Sequence, residues 1–154
     1  MTTDANKDLI REHFRALDVG DGEAFASTHH PAGVNHAPAP FDLSEWPAEG
    51  KPFGPDQARE TLGWLRGGLS ELRVEIEGLI AEGDEVVAWV RMTGSVPATP
   101  AAAAGARVDF RHAHRFRIED GLIAEHWAVR DDLRAMIQRG AVQPPGGLRE
   151  PGAT

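Results

Sequence analysis

Residues 108–118 read VDFRHAHRFRI, and the phasing of this stretch decides how the rest of the chain is read. One register carries Val108, Phe110, His112, His114, Phe116 and Ile118; the other carries Asp109, Arg111, Ala113, Arg115 and Arg117. Alternate side chains of a strand point to opposite faces. The stretch is therefore a strand with one wet, mostly cationic face and one apolar face that holds two imidazoles at its centre. Those imidazoles are open to three roles: metal ligands, acid–base groups, or core histidines with partners.

Working outward, the period-two pattern extends in both directions. Leu72, Val74, Ile76 and Ile80 alternate with Arg73, Glu75 and Glu77, Gly83-Asp84 is a turn, and Glu85 to Thr93 is the next strand. The segment SVPATPAAAAGAR (95–107) is an irregular connection. Asp120-Gly121 makes a hairpin turn into a last strand, LIAEHWAV. Upstream the period is helical. Asp4 to Asp18 carries Leu9, Ile10, His13, Phe14 and Leu17 on one side, with His13 a core or boundary histidine. A short second helix runs from Glu23 to His29, with His29 and His30 as surface groups. HHPAGVNHAPAPF (29–41) is a loop, too rich in Pro, Gly and Ala for regular structure. Gly54-Pro55 opens a third helix with Ala58, Leu62, Leu65 and Leu69 on its apolar side and Trp64 on its flank. Asp131 to Arg139 is a short C-terminal helix closed by Gly140, and residues 141–154 are a disordered tail.

Helices first and an antiparallel meander after give one α+β domain over residues 1–140. Its curved sheet is covered on one face by about three N-terminal helices and encloses a pocket. Composition narrows the function. There are no cysteines, so disulfides, thiolate metal sites and cysteine nucleophiles are excluded. A formal net charge of −8, Lys+Arg 16 against Asp+Glu 24, disfavours nucleic acid and anionic membrane as partners. The charged N-terminus lacks the apolar core of a signal peptide, and no apolar run approaches a membrane span; the expected location is the cytoplasm.

For the histidines, a metal site needs a third donor. Parity puts the nearest carboxylate, Glu119, on the face opposite His112 and His114, so no metal is expected. An acid–base role needs an apolar wall and a nearby carboxylate. Phe110 and Phe116 supply the wall. On the last strand the bulkier parity, Ile123, Glu125, Trp127 and Val129, is pointed inward, which brings Asp131 to the inner rim. Asp131 is then equally a base paired with a histidine or the cap of the C-terminal helix. His36, after Asn35, is a loop histidine that solvent alone could satisfy.

Taken together, Asp18-Val19-Gly20-Asp21, His36, Gly83-Asp84-Glu85-Val86-Val87, Arg115-Phe116 and Asp120-Gly-Leu-Ile-Ala-Glu-His-Trp127 with Asp131 beyond resemble the SnoaL-like polyketide cyclases and their ester-cyclase-like relatives. These belong to the nuclear-transport-factor-two-like superfamily. The resemblance covers roughly residues 5–140. It implies a cone-shaped sheet around a deep apolar cavity, a homodimer, and cofactor-free ring closure by intramolecular aldol condensation. It places Asp131 as the acid–base aspartate, with His114 or His112 as its histidine and His36 as the family's loop histidine. Trp64, Trp127, Phe110 and Phe116 would hold a flat apolar carbonyl compound, with His36 and His112 beside it. The alternatives are epoxide opening by the same groups, or a binding domain without catalysis. Many relatives carry Gly-Thr-His where this chain has Gly94-Ser95-Val96, and without tyrosine it offers no phenol to a developing enolate.

Overall fold

The structure is a computed structural model and describes residues 2–37, 50–97 and 105–143. In chain order it has α1 (Thr3–Val19), α2 (Gly22–Ser27), β1 (His29–Asn35), β2 (Lys51–Pro52), α3 (Pro55–Gly68), β3 (Ser70–Glu82), β4 (Glu85–Ser95), β5 (Arg107–Glu119), β6 (Leu122–Arg130) and α4 (Asp132–Gln138). One six-stranded sheet has the order β2-β1-β6-β5-β4-β3. All its neighbours pair antiparallel except β1 and β6, which run parallel. The fold is α+β, with α1, α2 and α3 on the concave face of a curved sheet. No helix among the described residues is long and apolar enough to cross a membrane.

Local signals explain the helix ends. Thr2 caps α1 by accepting from the Ala5 N–H at 3.2 Å, and Gly20 ends it at φ 78. Asp21 caps α2 through the Ala24 N–H at 3.0 Å. In α3, Pro55 fills the first turn and the Gln57 side chain accepts from the Gly54 N–H at 3.0 Å. The concave face then closes over an apolar core. Val86, Ala88 and Val90 of β4 are fully buried against Ile10, Phe14 and Leu17 of α1. Each large side chain so enclosed stabilises the fold by roughly 1.5–3 kcal/mol.

The long strands follow the expected parity until a bulge interrupts it. In β3 the pairing passes from Ile76↔Val90 to Gly78↔Trp89 and leaves Glu77 without a partner. Beyond that point Leu79 and Ala81 face the core, while Ile80, expected inside, is 72% exposed. In β6 the pairing passes from Ile118↔Ile123 to Arg117↔Glu125 and skips Ala124. Ile123 therefore faces inward, but beyond the bulge His126, Ala128 and Arg130 do. Glu125, Trp127 and Val129 lie on the convex face, with Val129 77% exposed. This overturns the inward parity expected for the last strand.

Residues 29–35, expected as a loop, form β1 instead. The partner decides this, not the composition. The Ile123 N–H donates to the Thr28 carbonyl and the His36 N–H to the His126 carbonyl, both at 2.8 Å. The register slips between His29 and Val34, which accommodates Pro31 and its missing N–H. His29 begins this strand with only 3% of its surface exposed, so it is a core residue and not the surface group expected. The rest of that expected loop beyond Ala37, the centre of the alanine-rich connection and the tail from 144 lie outside the described residues.

Candidate active site

Between the helices and the sheet lies a partly open cavity of about 1000 Å³. Phe116 lies behind the lining at its inner end, packed under the rings of His13, His114 and His126. Above it the wall of β5 presents His114, then His112, Phe110 and Val108 toward the mouth, where Trp64 of α3 and Ala135, Met136 and Arg139 stand. The Phe116 ring is surrounded by His126, His13 and His114, at centroid distances of 5.0, 5.4 and 5.9 Å.

One hydrogen-bond chain orients the deep imidazoles. The Ala37 N–H donates to Asn35 Oδ1 at 2.9 Å, which fixes that atom as the amide oxygen. His126 Nδ1 lies 3.0 Å from the same oxygen and must therefore carry the proton it donates. Burial drives the His126 pKa down to about 3, so the ring is neutral and its Nε2 is a lone pair. That lone pair accepts from His114 Nδ1 at 2.8 Å. His114 is in turn held well below the ordinary histidine range by burial, then by His126, His112 and Arg130. Its Nε2 is thus a bare acceptor, buried and without a partner among the described residues. His112 is pushed to about 4, first by burial and then by Arg130, and neither of its ring nitrogens has a partner among the described residues. Unpaired buried polar atoms are costly and rare, and three of them gather here on two neighbouring rings in the wall of the cavity, each shielded by the side chains around it.

Arg130 stands opposite His112 across the β5–β6 ladder and lines the cavity. Its Nε donates to Asp132 Oδ2 at 3.3 Å, and Asp132 also lines the cavity. Arg130 is not among the residues expected at the site, and Asp132, which the expected inward parity of the last strand turns away from the pocket, lines it instead. Among the described residues no group of three or more His, Cys, Asp or Glu side chains is placed to share a metal ion.

The expected site residues divide. His112, His114, Phe110 and Trp64 line the cavity, although Trp64 is 65% exposed at its mouth. Phe116 lies beneath the lining as its support. Asp131 does not face the cavity. It is exposed and caps α4, its Oδ1 accepting from the Arg134 N–H at 3.1 Å. His36 and Trp127 are on the convex face, stacked on each other at 4.6 Å with Arg115 over the indole at 4.5 Å. There His36 Nε2 meets Glu125 at 2.7 Å, and Arg117 with His36 holds the Glu125 carboxyl below its ordinary range. The bulge at Ala124 explains the misplacement of Trp127. The parity that would have brought Asp131 inward is reversed by the same extra residue.

The SnoaL-like domain family matches residues 10–126 of the chain. No curated protein sequence matches it. Among solved structures, TsrD from Streptomyces laurentii superposes with TM-score 0.74 at 26% identity, covering 92% of this chain and 99% of its own. IdmH from Streptomyces antibioticus, a candidate polyketide cyclase, gives 0.75 at 21% over 88% and 98%. AclR from Streptomyces galilaeus, a candidate hydroxylase, gives 0.75 at 18% over 93% and 89%.

Proposed function

The chain belongs to the SnoaL-like family, and from that premise we propose that it is a cofactor-free acid–base enzyme. It encloses an apolar carbonyl compound of the polyketide kind and removes a proton beside the carbonyl, the opening step of an intramolecular aldol closure. The observation that carries this reading is the chain Asn35–His126–His114, which leaves a lone pair on His114 Nε2. A neutral imidazole locked in this tautomer can accept a proton but cannot donate from that atom, so the base is His114 and not Asp131.

In the reaction, the C–H bond beside the carbonyl breaks and its proton moves to His114 Nε2. The bonding pair becomes an enolate, whose oxygen Arg130 stabilises while Asp132 holds the guanidinium in place. Burial disfavours an isolated imidazolium, but an enolate in contact restores it by charge pairing. His114 then shares its charge with His126 through the Nδ1–H···Nε2 bond. The enolate carbon attacks a second carbonyl of the same molecule, and the resulting alkoxide takes the proton back from His114. The cavity contributes by folding one substrate into a reactive conformer, with Phe110 and Trp64 excluding water.

The test needs no knowledge of the natural substrate. A panel of aryl 1,3-diketones in deuterated buffer is followed by NMR for exchange of the protons between the carbonyls. Wild type accelerates exchange of at least one member, and His114→Gln loses about 100-fold or more of that acceleration. Equal exchange by the two proteins sinks the assignment of the base.

The reading includes a homodimer. On the convex face Val87, Trp89 and Val129 are 40%, 48% and 77% exposed, and Trp89, Ala113 and Val129 form one cross-strand row. Contiguous exposed apolar surface of this kind seats a partner. Sedimentation of wild type against Trp89→Glu tests it, with a monomeric wild type as the adverse result.

A further inference from the structure

The closed end of the cavity has a second set of oriented imidazoles that the proposed chemistry does not use. Thr28 Oγ1 lies 2.7 Å from the Phe25 carbonyl oxygen, too close for two oxygens without a proton between them, so the hydroxyl donates there. His13 Nδ1, 3.1 Å from the same hydroxyl oxygen, is then its donor. His29 Nδ1 lies 3.0 Å from the Phe25 carbonyl, which only accepts, so His29 also carries its proton on Nδ1. Burial keeps both rings neutral: His29 is lowered to about 4, and His13 falls well below the ordinary range. Each is left with a lone pair on Nε2, and both rings line the cavity, their centroids 5.1 Å apart. With His114, whose Nε2 is shielded in the wall beside them, this makes three imidazole acceptors around one floor. The other walls at that depth, Phe14, Leu17, Phe25 and Phe53, bring no side-chain donor. Donors enter beside and above the floor, from the Asn35 amide and then Arg130.

We propose that the floor formed by His13, His29 and His114 is an acceptor-only surface that selects ligands whose leading edge carries two or more phenolic or enolic hydroxyl groups. Their carbonyl or acidic end trails toward Arg130. The inference rests on the cavity being the binding site, and it holds whether or not His114 is the base. A buried acceptor rejects a ligand that lacks the matching donor much more strongly than an apolar pocket rejects a misfit. Methylation of those hydroxyls removes every donor while adding apolar surface, so ethers bind poorly despite the hydrophobic gain.

The test is equilibrium calorimetry of the full chain with 1,3-dihydroxynaphthalene and 1,3-dimethoxynaphthalene. The diol binds roughly 10- to 100-fold more tightly than the diether. His13→Phe and His29→Phe keep a ring in place but remove an acceptor, and each narrows that ratio. If either variant fails to fold, the wild-type ratio decides alone. Equal affinities, a tighter diether, or no binding of the diol up to its solubility limit each overturn the inference. Diol preference without deuterium exchange leaves it standing and removes the catalytic reading; exchange without diol preference does the reverse.

Discussion

Replacing Asn35 by leucine removes the oxygen that sets the direction of the whole imidazole chain while nearly conserving volume. Asn35 Oδ1 accepts both the Ala37 N–H and His126 Nδ1–H. Ala37 is only part-buried and can turn to water. His126 is half-buried, its ring packed against those of His114 and Phe116, and a stranded N–H there costs about 1–3 kcal/mol. The ring escapes that cost by moving its proton to Nε2, where it donates to His114 Nδ1. His114 must then carry its own proton on Nε2, the atom assigned as the base. Since each ~1.4 kcal/mol is a factor of ten, Asn35→Leu lowers the competent tautomer, and with it deuterium exchange, by about 10- to 100-fold. Two-bond ¹H–¹⁵N correlation spectra of histidine-labelled protein report which ring nitrogen bears the proton, and a melting curve separates this from unfolding. The reasoning is refuted if wild-type His114 already shows its proton on Nε2. It is equally refuted if Asn35→Leu switches the tautomer and leaves exchange untouched.

Other outcomes follow from the same geometry. Asp131→Ala lowers stability by ~1 kcal/mol through loss of the α4 cap, read in urea, while deuterium exchange stays at the wild-type rate. Arg130→Gln removes the cation facing His112 and the enolate: exchange falls at least ten-fold and the His112 pKa, followed by NMR, rises from about 4. Acid sensitivity also has a definite sign. His29 and His112 sit at about 4 and His126 at about 3, so between these values and 6.5 the unfolded chain binds protons that the folded chain does not. Stability is complete above pH 6.5 and falls as pH drops, by roughly 4 kcal/mol per pH unit near pH 5 for the three together. Urea midpoints at pH 7, 6 and 5 check this, and a flat profile contradicts the neutral burial of these rings. Phe116→Ala opens the cavity floor and costs about 3–5 kcal/mol of stability.

The sequence carried the helices, the four long strands and their turns, because caps and periodicity are local. It also carried the inward face of β5, where no bulge intervenes between Val108 and Ile118. What it could not carry was each place where one residue changes the phase of a strand. Glu77 and Ala124 bear no mark in a single sequence, yet each inverts everything beyond it in its strand. His126 and Arg130 were hidden for that reason, and Trp127 was wrongly placed inside. His29 and Asn35 were hidden for a different one. Their strand exists only because β6 is there to pair with it, and a proline and a glycine masked it. The available signal was weak: His-x-x-x-x-x-Asn from 29 to 35 has the even spacing of a strand face.

The parallel contact of β1 with β6 has a temporal consequence. The hairpins β3–β4, β4–β5 and β5–β6 join neighbours in the chain, whereas Asn35 reaches His126 across 91 positions. Closing so long a loop carries the greater entropic cost, so this seam is expected to form after the hairpins and to exchange its amide protons before theirs, an order that pulsed hydrogen exchange reads directly. A molecule with the seam open retains its meander and most of its core, yet the proton on His126 has lost its anchor. On the proposed reading, readiness for chemistry therefore waits on the arrival of one short strand.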